Sequence, residues 1–209
     1  MNRRLSVTAA LSVAVLAAAC GGADSAGLNG NGTLVVQLTD APFPTDSVKS
    51  VDIFVVRVDG RVADVDTASA NQNVATDSSS KSDGWKTLAT PNASIDLLGL
   101  QNGVTSTLGE TEVDAASYRG FRLVIDPSKS SVTLKNGQVL TSTSSPSVGF
   151  PSASRSGIKI SLSAPIDVAA DGKTTMVVDF DVGNSFVMRG NSLSQNGLLF
   201  KPVIRGTAK

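Results

Sequence analysis

A chain of 209 residues that balances eighteen basic against eighteen acidic side chains and contains no histidine is already excluded from much chemistry. Without histidine there is no Ser-His-Asp arrangement, no Cys-His pair and no histidine zinc site. A near-neutral charge gives no electrostatic case for nucleic acid, and one cysteine allows no internal disulfide.

The chain opens with Arg3 and Arg4 ahead of a largely apolar run, Leu5 to Ala19. That run is shorter than the roughly 20 residues a membrane-spanning helix needs. It ends in Ala17, Ala18 and Ala19, the small residues that precede a signal-peptide cut. Cys20, the only cysteine, follows at once. The segment resembles the lipobox of bacterial lipoproteins, with Leu16 one place further from the cysteine than in the commonest form. The resemblance implies a signal peptide over 1–19 and a Cys20 thiol carrying acyl chains such as palmitate. The protein is therefore expected in the cell envelope, held to a membrane through its lipid. No aspartate follows Cys20 directly, which favours the outer membrane in a Gram-negative host. With Arg3 and Arg4 removed, sixteen basic residues face eighteen acidic ones, a formal charge of −2.

Residues 20–32 are rich in Gly, Asn and Ser and read as a flexible tether. Residues 33–207 form the expected domain. Leu34, Val36 and Leu38 alternate with Val35, Gln37 and Thr39, the period of a half-buried strand, which stops at the turn Asp40-Ala41-Pro42. In that turn Asp40 is expected to bond its own backbone. Val51 to Val58 is apolar on both faces and predicts a central strand. Asp59 to Gly84 predicts a long polar loop. Trp85 and Leu88 return to the core, and Ile95 to Leu100 is apolar before a turn at Asn102-Gly103. Val104 to Leu108 predicts another strand. Phe121, Leu123 and Ile125 face one way, with Arg122 and Val124 opposite. Asn136-Gly137, between Val132 and Leu140, predicts a hairpin with a type I′ turn. Thr141 to Ser156 predicts a second loop. Alternating strands follow at Ile158 to Leu162 and Met176 to Val182, and Pro202 suggests an edge or bulge in the last strand.

No stretch after the leader keeps a helical period. The pattern predicts an all-β fold, a single antiparallel β-sandwich of about seven to nine strands with long loops, immunoglobulin-like or transthyretin-like. Asp114 to Tyr118, just before a strand, matches the tyrosine corner of such sandwiches.

Leu38-Thr39-Asp40-Ala41-Pro42, Gly84-Trp85 with Leu88, and Ile95 to Gly103 together resemble a bacterial family, the domain of unknown function 4382. Leu108-Gly109-Glu110, Tyr118 with Arg122 to Ile125, Gly157 to Ile160, Val178 to Asp181 and Leu199 to Arg205 continue it in order. The likeness spans about residues 32–206. Ala116 departs from it, standing where the family usually has glycine before its tyrosine turn. The resemblance implies a lipid-anchored or secreted β-rich envelope protein and brings no catalytic residues.

Candidate sites are few. Asp179 and Asp181, two apart, would project from one strand face and could hold calcium or another ligand, though a solvated face balanced by Lys159 or Arg122 explains them better. Asp64 and Asp66, with Asp59 nearby, could begin a calcium loop but lack the glycine and closing glutamate of an EF-hand. Ser128-Lys129 in a loop lacks the buried lysine of a Ser-Lys dyad. Trp85 and Tyr118 are expected in the core. The sequence thus predicts no enzyme and no cofactor. It points to a binding, adhesion or scaffold domain whose partner is an envelope protein or glycan, with a calcium- or small-ligand-binding periplasmic module as the alternative.

Overall fold

The computed structural model describes residues 30–40, 46–62, 85–151 and 156–209. Cys20, Asp64 and Asp66 lie outside the described residues, as do the leader and most of the tether. The strands are β1 (Asn31–Asp40), β2 (Val48–Val62), β3 (Trp85–Ala89), β4 (Ala93–Asp96), β5 (Ser106–Asp114), β6 (Ala116–Ile125), β7 (Ser131–Leu134) and β8 (Val139–Thr141). They continue with β9 (Val148–Gly149), β10 (Ile158–Leu162), β11 (Ile166–Val168), β12 (Lys173–Phe180), β13 (Phe186–Met188), β14 (Leu198–Phe200) and β15 (Ile204–Ala208). Two single helical turns, α1 (Val182–Ser185) and α2 (Leu193–Asn196), flank β13. No helix among the described residues is long and apolar enough to cross a membrane.

The fold is all-β, as the alternation predicts. One sheet runs in the order β5-β1-β12-β15-β10-β6-β2-β7-β8, with β11 paired to β6 and both β3 and β4 paired to β2; β13, β14 and β9 make a small second sheet. The sheet curls until its β5 end meets β3. There Lys86 pairs with Asp114, and a Cβ on Gly109 would lie 2.7 Å from that of Ala89, so only glycine permits the approach. Leu34, Val36, Leu38, Met176, Val178 and Phe180 are all fully buried inside the curl. Phe200 anchors one end, its ring 5.0 Å from Phe186, 5.2 Å from Phe150 and 6.0 Å from Phe180.

Several expectations are corrected. The pairing is mixed, not antiparallel throughout: β1 runs parallel to β12, β10 to β15 and β14 to β9. Face periodicity is the same in both directions, so it cannot report direction, and the connection between β1 and β12 is ample for a parallel pair. The described residues hold fifteen strands, not seven to nine, because short strands sit inside the expected loops. Val148 in the second loop is fully buried, and β9 joins β14 there. The first strand starts at Asn31, within the expected tether, since Asn31 and Gly32 already pair with Asp114 and Val113. At the 136–137 turn only Gly137 has positive φ (+89°). Gly137 N–H donates to Leu134 and Leu134 N–H to Gln138, which makes a three-residue loop in place of type I′. Both central residues have positive φ instead at Asn102 (61°) and Gly103 (83°), closed by Val104 N–H donating to Gln101. Pro202 lies between β14 and β15, outside any strand.

Two β-bulges shape the outer face. Val51, Ile53 and Val55 point inward, and strict alternation would send Arg57 and Asp59 after them. The register between β2 and β6 shifts between Val55 and Arg57, so Val58 takes over as the buried position and Arg57, Asp59 and Arg61 turn outward. A second shift leaves Arg119 as the extra residue between the pairs Arg61–Gly120 and Val62–Tyr118. The core then resumes at Phe121.

Candidate functional site

Four neighbouring strands carry one polar row across the outer face. Thr87 on β3 stands opposite Asp59 on β2, Asp59 opposite Arg122 on β6, and Arg122 opposite Lys159 on β10. The next row sets Trp85, Arg61 and Gly120 side by side. Asp59 is only 2% exposed although it lies on the outer face, because its neighbours cover it. Its carboxylate accepts from Arg57 Nε at 3.0 and 3.1 Å, from Thr87 Oγ1 at 3.0 Å and from Arg122 Nε at 2.8 Å. Two guanidinium groups and a hydroxyl thus surround one buried charge, the pairing such a charge requires.

Arg122 also stacks on Trp85, its guanidinium carbon 4.6 Å from the ring centroid. Trp85 is half-buried and belongs to this surface, which corrects its expected place in the core. Gly120 makes room for it: a Cβ there would lie 3.3 Å from the indole edge. Beside Trp85 opens a groove of about 440 Å³, lined also by Arg61, Arg119, Phe121 and Lys159. No described carboxylate lines it. Its size is within the range of small-molecule sites.

Tyr118 is fully buried, as expected, and its hydroxyl donates to the Asp114 carbonyl at 3.1 Å, the tyrosine-corner contact. Burial, then the Asp114 charge, push its phenol pKa up.

The sequence-predicted acids are placed differently. Asp179 lies near the end of β12, but Asp181 has left the strand and caps α1, accepting from Asn184 N–H at 3.0 Å and Asn184 Nδ2 at 2.8 Å. They therefore do not share a strand face. Opposite Asp179 stands Arg205 on β15, not Lys159 or Arg122. Asp179 Oδ1 is buried with no hydrogen-bond partner, and burial together with the Asp181 charge raises the pKa. Asp40 is 4% exposed and makes tertiary bonds in place of the expected local one. It accepts from Val182 N–H at 3.1 Å and from Gln101 Nε2 at 3.5 Å. Burial lifts its pKa to about 6. Among the described residues no three His, Cys, Asp or Glu side chains gather as a metal would need. Asp59 takes no part in a calcium loop; it is bound to arginines inside β2. Ser128 donates to Asp126 at 2.6 Å, and Lys129 lies over the Phe54 ring.

A family model described as Domain of unknown function (DUF4382) matches residues 31–202. The chain belongs to the DUF4382 family. The match covers the paired strands from β1 through β14, including all four that carry the Asp59 row. No curated protein and no solved structure gives a significant match. Of the DUF4382 segments quoted from the sequence, Arg122 to Ile125 and Ile158 to Ile160 lie on adjoining strands, and Trp85 stacks beside them on Arg122.

The Asp59 row escaped sequence reading because its residues come from four separated segments. A signal was present in Arg57-x-Asp59-x-Arg61, alternating charges directly after an apolar strand. That spacing is a strand's, not a loop's.

Proposed function

We propose that this DUF4382 protein is a non-enzymatic binding domain tethered to the bacterial cell envelope by lipid on Cys20, with its ligand held in the groove beside Trp85. The groove carries the reading: it combines a size suited to a small molecule, an aromatic wall and cationic rims, and it sits on rigid paired strands. The absence of histidine from the sequence and the single cysteine at the leader's end support binding over catalysis. Among the two roles open from sequence, the groove favours a small-ligand module over adhesion or scaffolding. The finer likeness to immunoglobulin-like sandwiches rests on the Tyr118–Asp114 bond.

Two experiments test this. Cys20→Ser should move the protein from the membrane fraction to the soluble one; retention after a salt wash defeats the anchor. A photo-crosslinking residue at Ser161, exposed two places beyond Lys159 on β10, should capture a discrete adduct on intact cells, read by mass spectrometry. The same residue at Val139, which is 48% exposed on β8, serves as the control. Identical adduct patterns at both positions defeat the groove as the binding site.

A further inference from the structure

We infer that the groove beside Trp85 takes a small, multiply charged anion, a molecule carrying at least two carboxylate or phosphate groups. This names the ligand class for the binding role proposed above and rests on that reading. Charge and geometry together lead to it. Arg119 is the extra residue of a bulge, so the irregularity sends it and Gly120 outward together, and bulges commonly re-aim side chains beside sites. Lys159 comes from the neighbouring strand and is exposed, between buried Ile158 and Ile160. Neither Arg119 nor Lys159 forms an ion pair with a described residue. Arg122 differs: Asp59 and Trp85 hold it in place.

The one described carboxylate nearby, Asp59, is buried and already paired with Arg57 and Arg122, so it does not engage Arg119 or Lys159 and their charges stay available to a ligand. Arginine contributes a planar fork that takes carboxylate or phosphate bidentately, and lysine a point charge. Trp85 gives the groove one aromatic wall, and it suits the carbon body of an organic anion. Such an anion could come as a free metabolite or as a lipid headgroup, and a headgroup with one phosphate presents only one anionic group.

Trp85 is the only tryptophan, so its fluorescence reports on this groove alone. The full chain, purified in non-ionic detergent, is titrated with citrate, inorganic pyrophosphate and glycerol 1-phosphate. Citrate or pyrophosphate should give a saturable change that weakens with added salt. Glycerol 1-phosphate, standing for a headgroup with one phosphate, should bind at least about tenfold more weakly. The double variant Arg119→Gln/Lys159→Gln, on exposed positions and expected to keep its circular dichroism, should weaken citrate or pyrophosphate binding by about tenfold or more. No saturable response to either up to about 10 mM overturns the inference, as does binding unchanged in the double variant. Glycerol 1-phosphate binding as tightly as pyrophosphate overturns the requirement for two anionic groups. If the Ser161 adduct forms on cells while these anions fail, the groove remains a binding site and only the ligand class falls.

Discussion

The carboxylate of Asp59 and Nε of Arg122 lie 2.8 Å apart across neighbouring strands, and the same guanidinium covers the face of Trp85. One contact therefore links a buried charge to the wall of the groove. Asp59→Ala would leave Arg57 and Arg122 uncompensated, and the expected loss of stability is about 3 kcal/mol. Urea unfolding, followed by Trp85 fluorescence, measures it. A loss under about 1 kcal/mol would mean that solvent screens the pair despite its burial.

Asp40 should make stability depend on pH in a defined direction. Its proton is held more tightly in the folded chain, with a pKa of about 6 against an ordinary 3.8. The stability it contributes is full below about pH 3.8 and is lost as pH rises through about 6. Asp179, raised for the same reason, acts in the same sense. Asp40→Asn keeps an acceptor for Val182 N–H and removes the buried charge. It should stabilise the protein at pH 7.5 by up to about 3 kcal/mol relative to its effect at pH 4. Thermal unfolding of both proteins at the two pH values decides it; a gain that does not change with pH would refute the assignment.

Gly197 ends α2 with φ +74° and ψ −159°, backbone that side chains rarely adopt, and a Cβ there would collide with the Ser147 carbonyl. Gly197→Ala should cost more than about 2 kcal/mol. The same substitution at Gly99, where a Cβ meets nothing within 4 Å, should cost far less. Comparable losses at both positions, measured by chemical denaturation, would contradict the geometry.

Tyr118→Phe removes the hydroxyl that donates to Asp114 and keeps the ring packed on Phe121, 6.0 Å between centroids. The expected cost is about 1 kcal/mol in unfolding free energy. A neutral result would show that the Asp114 carbonyl finds another donor.

The sequence by itself determined the all-β class, the inward residues of β1, β6, β10 and β12, and the tyrosine corner, since each is a local pattern of period two or a short motif. The resemblance to DUF4382 was also legible, because its segments keep their order along the chain. Direction of pairing was not, since alternation is blind to it. Nor was the Asp59 row. A bulge had to reverse the faces of β2 before Asp59 could turn outward, and whether a bulge forms depends on the partner strand, not only on the strand's own residues. Asp40 shows the same limit: its neighbours in sequence suggest a turn, but Val182 and Gln101 fix its bonds and burial sets its pKa. Only tertiary structure brings Thr87, Asp59, Arg122 and Lys159 into one line, because the register that sets them opposite one another exists only between paired strands.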